Sequence, residues 1–144
     1  MINEESQKIK DKKRFLQRYR KNKAKIKRLE IKIERLQEKL VNVKAIAIND
    51  EPKGGTSISQ LDLLNDKIDY EKRLKKLKDL SVIYKEEITN VIDKLDDTKY
   101  IDVLELFFID CLDFDDIANC LNFSVRYTIS LYSKGIELIS LTHH

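Results

Sequence analysis

Along the first 45 residues, apolar side chains recur at alternating intervals of three and four residues. This is the heptad period of a helix that packs along another helix. A helix of roughly 40 residues would reach about 60 Å, too long for a compact domain to cover, so a second helix has to lie beside it. Asn22 is the one polar position, and it either sets the register of the pair or marks an exposed helix end. The series is Phe15, Tyr19, Asn22, Ile26, Leu29, Ile33, Leu36, Leu40 and Val43.

A second heptad series follows a predicted loop at about 48–57, which holds the only proline and two adjacent glycines. Ser57 or Ser59 can cap the helix that starts there. The two long helices form either an antiparallel hairpin within the chain or pairs with a second chain, as in a homodimer. The second series is Tyr70, Leu74, Leu77, Ser81, Tyr84, Ile88, Val91 and Leu95, whereas Leu61, Leu64 and Ile68 lie on a shifted phase.

After Leu95 the pattern predicts three short helices. Asp96, Asp97 and Thr98 offer caps for the first, which extends over about three turns. Asp113 caps the second, and Ser124 caps the last, which extends from Val125 to about Leu141. The inner face of the second short helix is predicted to comprise Ile117, Ala118, Cys120 and Leu121. The sequence therefore predicts an all-α chain with a helical hairpin or coiled coil over residues 1–95 and a small three-helix domain over residues 96–144.

Charge is segregated along the chain. The whole chain carries +3, but residues 96–144 hold nine acidic and three basic side chains, a net charge of −6. Residues 1–95 therefore carry +9, and eleven basic residues lie between Lys10 and Arg28. This basic run is either a solvated helix face or a surface for nucleic acid or an acidic protein. Its candidate residues are Lys12, Lys13, Arg14, Arg18, Arg20, Lys21, Lys25 and Arg28.

Several classes of protein do not fit the sequence. No stretch approaches the roughly 20 apolar residues of a membrane helix, and the charged start does not resemble a signal peptide, so we expect a cytoplasmic protein. Cys111 and Cys120 lack metal or redox spacing and are expected in the core. The only histidines end the chain, and no nucleophile, base and orienting group can be assembled, so we expect no enzyme, metal or cofactor.

The last third of the chain resembles the helix-turn-helix that contacts promoters in sigma factors, through the segments 100–108, 114–124 and 133–138. The whole layout resembles a family of small phage-encoded regulators of late transcription, with relatives on pathogenicity islands that interfere with a helper phage. The resemblance includes a Pro-Lys-Gly-Gly loop from Pro52 to Gly55 and an Ile-Asp-x-Leu-Asp-Asp pattern from Ile92 to Asp97. It implies a sigma-like helix-turn-helix and a bacterial host cell.

Carried over by position, the resemblance places a set of base-contacting residues at the start of the last helix. It also implies that relatives have an arginine at the position of Phe107 and an alanine at the position of Gly135. The implied domain core is Ile117, Ala118, Leu121, Thr128, Leu131, Gly135, Ile136 and Ile139. The implied base-contacting positions are Val125, Arg126, Tyr127, Ile129 and Ser130.

The sequence departs from this pattern, because only Arg126 among the base-contacting positions suits base recognition. Val125, Ile129 and Tyr132 instead form a row at i, i+4 and i+7, which is either core or an exposed apolar surface rimmed by acids. The candidate partner-binding residues are therefore Phe107, Val125, Arg126, Tyr127, Ile129, Ser130, Tyr132 and Lys134.

Three functions remain open. The first, which we favour, is a phage or mobile-element transcription regulator that contacts a protein, namely a homologous late-transcription activator or an RNA polymerase subunit. The acidic C-terminal domain would approach the basic helix of a homologous chain, and the mixed complex would be inactive. The second is a direct DNA-binding activator of phage late genes that uses Arg126 and Lys134. The third is a coiled-coil assembly factor.

Overall fold

A computed structural model describes the backbone of residues 2–49 and 54–141, and the side chains of residues 4–43 and 60–141. The described residues form five helices and no strand, as the sequence predicts. The helices are α1 (Ile2–Asn49), α2 (Gly54–Ile92), α3 (Thr98–Phe108), α4 (Phe114–Leu121) and α5 (Val125–Leu138).

The loop between α1 and α2 is shorter than predicted. Helix α1 continues to Asn49, and α2 begins at Gly54 rather than near Ser57 or Ser59. Each residue added to an existing helix gains a hydrogen bond at little further cost, so a long helix extends over residues of poor helix propensity. Residues 50–53, which include Pro52 and Lys53 of the Pro-Lys-Gly-Gly sequence, lie outside the described residues.

The chain divides into two compact units. The first unit is Met1–Asn22 with Ser81–His144, and the second is Lys23–Leu80. The boundary predicted at residue 95 kept each long helix whole, whereas this division separates α1 and α2 into segments that belong to different units. The first residues of α1 and the last of α2 therefore share a core with the three short helices.

The predicted heptad positions are buried or half-buried, but Leu16 and Ile92, which lie outside both series, are fully buried in the first unit. In the first unit Asn22 and Ser81 are buried and joined by a hydrogen bond of 2.8 Å from Asn22 Nδ2 to Ser81 Oγ. Arg18 pairs with Glu87 in the same unit, so the α1 and α2 segments are antiparallel there. In the second unit Ile26, Leu29, Leu36 and Leu40 are buried, whereas Leu61, Leu64 and Ile68, on the shifted phase, are exposed.

The core of the first unit joins the long helices to the short ones. Its larger cluster brings α1 and α2 residues against α3 and α5, and the smaller cluster joins α3, α4 and α5. The larger cluster is Leu16, Ile88, Ile92, Leu104, Phe108, Ile136 and Ile139, and the smaller is Val103, Ile117 and Leu131. Of the core positions implied by the resemblance all are buried except Leu121, which is half-buried.

The short helices begin at the predicted caps. The side chains of Asp97, Asp113 and Ser124 accept hydrogen bonds from backbone N–H groups of the first turns at 2.9 to 3.0 Å. The predicted end of α5 at about Leu141 is wrong, since the helix stops at Leu138. Ile139 adopts an extended backbone (φ −61°, ψ 135°) and is buried in the larger cluster.

The expectation that both cysteines lie in the core is wrong for Cys120. This side chain is exposed, and Cys111 is half-buried. Ile117, Ala118 and Leu121 define the inner face of α4, and residue 120 lies about 100° around the helix from Leu121, away from Ala118, on the solvent side.

Candidate functional site

Helix α5 is held closely against α3 by a glycine. A Cβ atom at Gly135 would lie 3.1 Å from Leu104 Cδ1 and 3.3 Å from Leu104 Cγ. Thr128 and Leu131 are buried on the same side of α5, and the Thr128 hydroxyl donates to the Ser124 carbonyl at 2.9 Å. This contact fixes which face of α5 is turned outward.

The outward face carries most of the predicted partner-binding residues. Val125 and Ile129 are 40% and 42% exposed and lie one turn apart, so they form a small apolar patch. Tyr127 is also exposed, with its ring edge-on to Phe123 at 5.0 Å between centroids. The polar residues predicted on this face are exposed as well: Arg126, Ser130 and Lys134.

Tyr132 and Phe107 do not belong to that outward surface, and the predicted apolar row therefore ends at Ile129. Tyr132 lies four residues from both Thr128 and Ile136, which are buried, so it shares their face. It is half-buried, and its ring meets the Phe107 ring with centroids 4.8 Å apart. Burial raises the pKa of the Tyr132 hydroxyl, and the nearby Arg20 charge lowers it to a smaller extent.

Phe107 and Tyr132 belong to an aromatic cluster that α3, α4 and α5 build together. Phe107 stacks on Phe114 with centroids 5.0 Å apart and meets Phe108 edge-on at 4.9 Å. The Arg20 guanidinium lies over the Phe107 ring, 4.0 Å from its centroid. At position 107, where the resemblance implies an arginine in relatives, this chain therefore has a phenylalanine, and the cation over its ring comes from Arg20 of α1.

Much of the predicted basic helix is engaged within the first unit. Lys12 Nζ donates to the Glu137 carbonyl oxygen at 2.8 Å, which places a cation beside the end of α5. The Arg18 guanidinium pairs with Glu87 at 2.8 Å and lies over the rings of Phe15 and Tyr84. The other predicted residues are Lys13, which is half-buried, Arg14 and Lys21, which are exposed, and Lys25 and Arg28, which are exposed in the second unit.

Acidic side chains crowd the start of α4. Asp113 caps the helix, and Asp115 and Asp116 lie exposed in its first turn, where they suit the helix dipole. The Asp113 charge, followed by desolvation, raises the pKa of Asp116. No basic residue lies on α4, so this end of the helix presents concentrated negative charge.

Two contacts of the first unit were not predicted from the sequence. One is the Arg20–Phe107 contact, since residues so far apart in the chain show no common period. The other is the Asn22–Ser81 pair, which could have been found by noticing that each is the polar position of its own heptad series. Asn22 thus lies inside the helix pair rather than at an exposed helix end.

Neither a family model, nor a curated protein, nor a solved structure matches this chain. Over the described residues, no three potential metal ligands come together, and no helix is both long enough and apolar enough to cross a bilayer. His143 and His144 lie outside the described residues.

Proposed function

We propose that this chain is a transcription regulator of a phage or mobile element that acts by contacting another protein through a modified helix-turn-helix. In this interpretation α4 and α5 are the two helices of the motif, and residues 122–124 are its turn. The left-handed backbone of Asn122 (φ 59°) ends α4, and the Ser124 cap starts α5, which gives a turn of the length that such motifs use.

The observation that carries the proposal is the acidic start of α4. In a DNA-binding helix-turn-helix the first helix crosses the phosphate backbone and the second enters the major groove. Here the first helix would bring Asp113, Asp115 and Asp116 towards phosphates, with no basic residue on α4 to offset them. Such a surface repels a duplex, because phosphate contacts supply most of the affinity of these proteins for DNA.

The exposed part of α5 suits a protein partner better. Val125 and Ile129 offer apolar surface beside Arg126 and Ser130, and the acids of α4 lie in the same module. An apolar centre with a polar rim is the usual composition of a protein–protein interface. The partner that we propose is a homologous late-transcription activator or an RNA polymerase subunit, and an inactive mixed complex would block activation of late genes.

The test compares two exposed apolar residues of α5. Ile129→Asp places a charge in the proposed interface, whereas Leu138→Asp places the same charge at the other end of the helix, on a side chain that is 51% exposed. We expect Ile129→Asp to weaken capture of a purified late activator or polymerase subunit by roughly tenfold or more, and Leu138→Asp to leave it unchanged. Repression of a late-promoter reporter should follow the same order.

Direct activation through DNA is the alternative, and the exposure of Arg126 and Lys134 favours it. It requires a tight, sequence-specific shift of promoter DNA at physiological salt that Arg126→Ala abolishes. That result would reject protein contact as the main activity. Unfolding of the module by Ile129→Asp, seen as lost helicity, would instead show that the patch is part of the core.

A further inference from the structure

The second unit contains an open cavity of about 500 Å³ between its segments of α1 and α2. Its floor is apolar, since Leu29 and Leu77 lie at the bottom. Its rim is entirely cationic, and it is formed by Lys25, Arg28 and Lys32 of α1 and by Arg73 and Lys76 of α2. Among the described residues, no carboxylate lines the cavity.

Three of the five cations, Lys25, Lys32 and Arg73, lie at the g position of their heptads, which normally carries opposite charges, whereas Arg28 and Lys76 lie at the c position, further from the interface. Lys25, Arg28 and Lys32 each precede a heptad position of α1 by one residue, and Arg73 and Lys76 do the same on α2. Residues that flank a coiled-coil interface usually form ion pairs across it, and like charges there destabilise the pair.

Three of these cations form no ion pair within the described part of the second unit. Lys25, Arg28 and Lys76 form no ion pair with a described residue, and the Lys78–Glu30 pair, at 4.0 Å, involves other side chains. The cationic groups of Lys32 and Arg73 lie 5.7 and 5.6 Å from the centroid of the Tyr70 ring. The isolated chain therefore tolerates a repulsion that an anion in the cavity would relieve.

We propose that this cavity binds the phosphodiester backbone of a nucleic acid strand without reading its sequence. This inference goes beyond the protein contact proposed for α5 and does not depend on it. The cations of α1 extend over seven residues, or about 10 Å, which is close to the axial rise of three nucleotides along one strand of a duplex. The planar guanidinium groups of Arg28 and Arg73 also match the geometry of phosphate oxygens.

Magnitudes favour phosphate over an acidic protein as the occupant. An exposed ion pair with a carboxylate strengthens binding by no more than about fivefold, so five such pairs barely offset the cost of association. A nucleic acid releases condensed counterions when its phosphates are neutralised, and this release alone supports sequence-independent binding with Kd values of roughly 10⁻⁴ to 10⁻⁶ M.

The experiment measures anisotropy of a labelled 20-nucleotide oligothymidine, a 20-base-pair duplex and a glutamate-rich peptide of equal charge, across a range of salt concentrations. Five phosphate contacts predict a slope of log K against log salt of about −3.5 for the single strand. Arg28→Gln with Lys76→Gln should reduce that slope by about 1.4 and weaken binding roughly 25-fold at 0.1 M salt.

The matched control is Lys27→Gln with Lys75→Gln, which removes one charge from each helix at exposed positions directly next to the targets. We expect it to leave the slope unchanged. The cavity variant should melt at the same or a higher temperature than the native chain, because it loses like-charge repulsion, so unfolding would not explain its weaker binding.

Three results would overturn the proposal: equal losses in the cavity and control variants, tighter binding of the glutamate-rich peptide than of either nucleic acid, or no salt-dependent binding at all. Arg126→Ala separates this site from α5. It should not affect binding of oligothymidine, whereas an equal loss in that variant would locate the phosphate contacts on α5 instead.

Discussion

Replacement of Gly135 by alanine tests how tightly α5 is held on α3. The substitution has two opposed effects. Alanine is favoured over glycine inside a helix by about 1 kcal/mol, which would stabilise α5. The new Cβ atom, however, would lie 3.1 Å from Leu104 Cδ1 and 3.3 Å from Leu104 Cγ, closer than side chains normally approach.

The outcome depends on whether Leu104 can move. Leu104 is fully buried in the same cluster as Phe108 and Ile136, and protein cores are close-packed, so a shift of its side chain would crowd these neighbours. Overpacking of a filled core costs about 1 to 3 kcal/mol. The steric term therefore exceeds the helix term, and we expect Gly135→Ala to destabilise the chain by about 1 kcal/mol, a fall in Tm of roughly 2 to 4 °C.

Urea denaturation monitored by circular dichroism measures this difference in stability. The same substitution made in a Leu104→Ala variant tests its origin. Leu104→Ala alone should cost about 2 to 5 kcal/mol, since it leaves a cavity. In that background Gly135→Ala should become stabilising by about 1 kcal/mol, because the added methyl group meets space. An increase in stability from Gly135→Ala in the native background would refute the close packing of α5 on Leu104.

Two further predictions concern polar groups of the first unit. Ser81→Ala should destabilise the chain by about 1 to 3 kcal/mol, since it removes the 2.8 Å hydrogen bond that the buried Asn22 amide donates, whereas Asn22→Leu combined with Ser81→Ala should recover most of that loss in denaturant titrations. The hydrogen bond that the protonated Glu105 carboxyl donates to Asp93, and then desolvation, raise the pKa of Glu105 to about 7, so the folded state binds its proton more tightly than the unfolded state and stability should fall between about pH 4.5 and 7. Solvent screening of this partly exposed pair limits the decline in stability to under about 1 kcal/mol. Glu105→Gln should remove the decline, and a variant that still shows it would contradict the role of Glu105.

Local patterns in the sequence predict the helices and their starts well, because these features depend on neighbours in the chain. The heptad series identify the covered faces of α1 and α2, and Asp97, Asp113 and Ser124 mark three helix starts. The end of α5 is missed for a physical reason. Ile139 continues the helical period, but its side chain fills the core from an extended backbone.

Periodicity also cannot show which element covers a given face. Val125, Ile129 and Tyr132 fit one helical row, yet only the first two are exposed, because the aromatic side chains of α3 and α4 cover Tyr132. Phe107 fits the apolar face of α3, but the cation above its ring comes from Arg20, nearly 90 residues earlier in the sequence. Contacts of this kind depend on the fold of the first unit.

The structure shows which basic residues already have contacts within the chain. The sequence suggests that the basic helix is available to an acidic domain of a homologous chain, but Lys12 and Arg20 already contact α5 and α3 of their own chain. A homologous chain would have to displace these contacts to use them. Three cations of the cavity form no ion pair with a described residue. They are Lys25, Arg28 and Lys76, and they lie in the second unit. Sequence-independent binding of nucleic acid is therefore expected in the second unit, whereas the acidic start of α4 suits a protein partner.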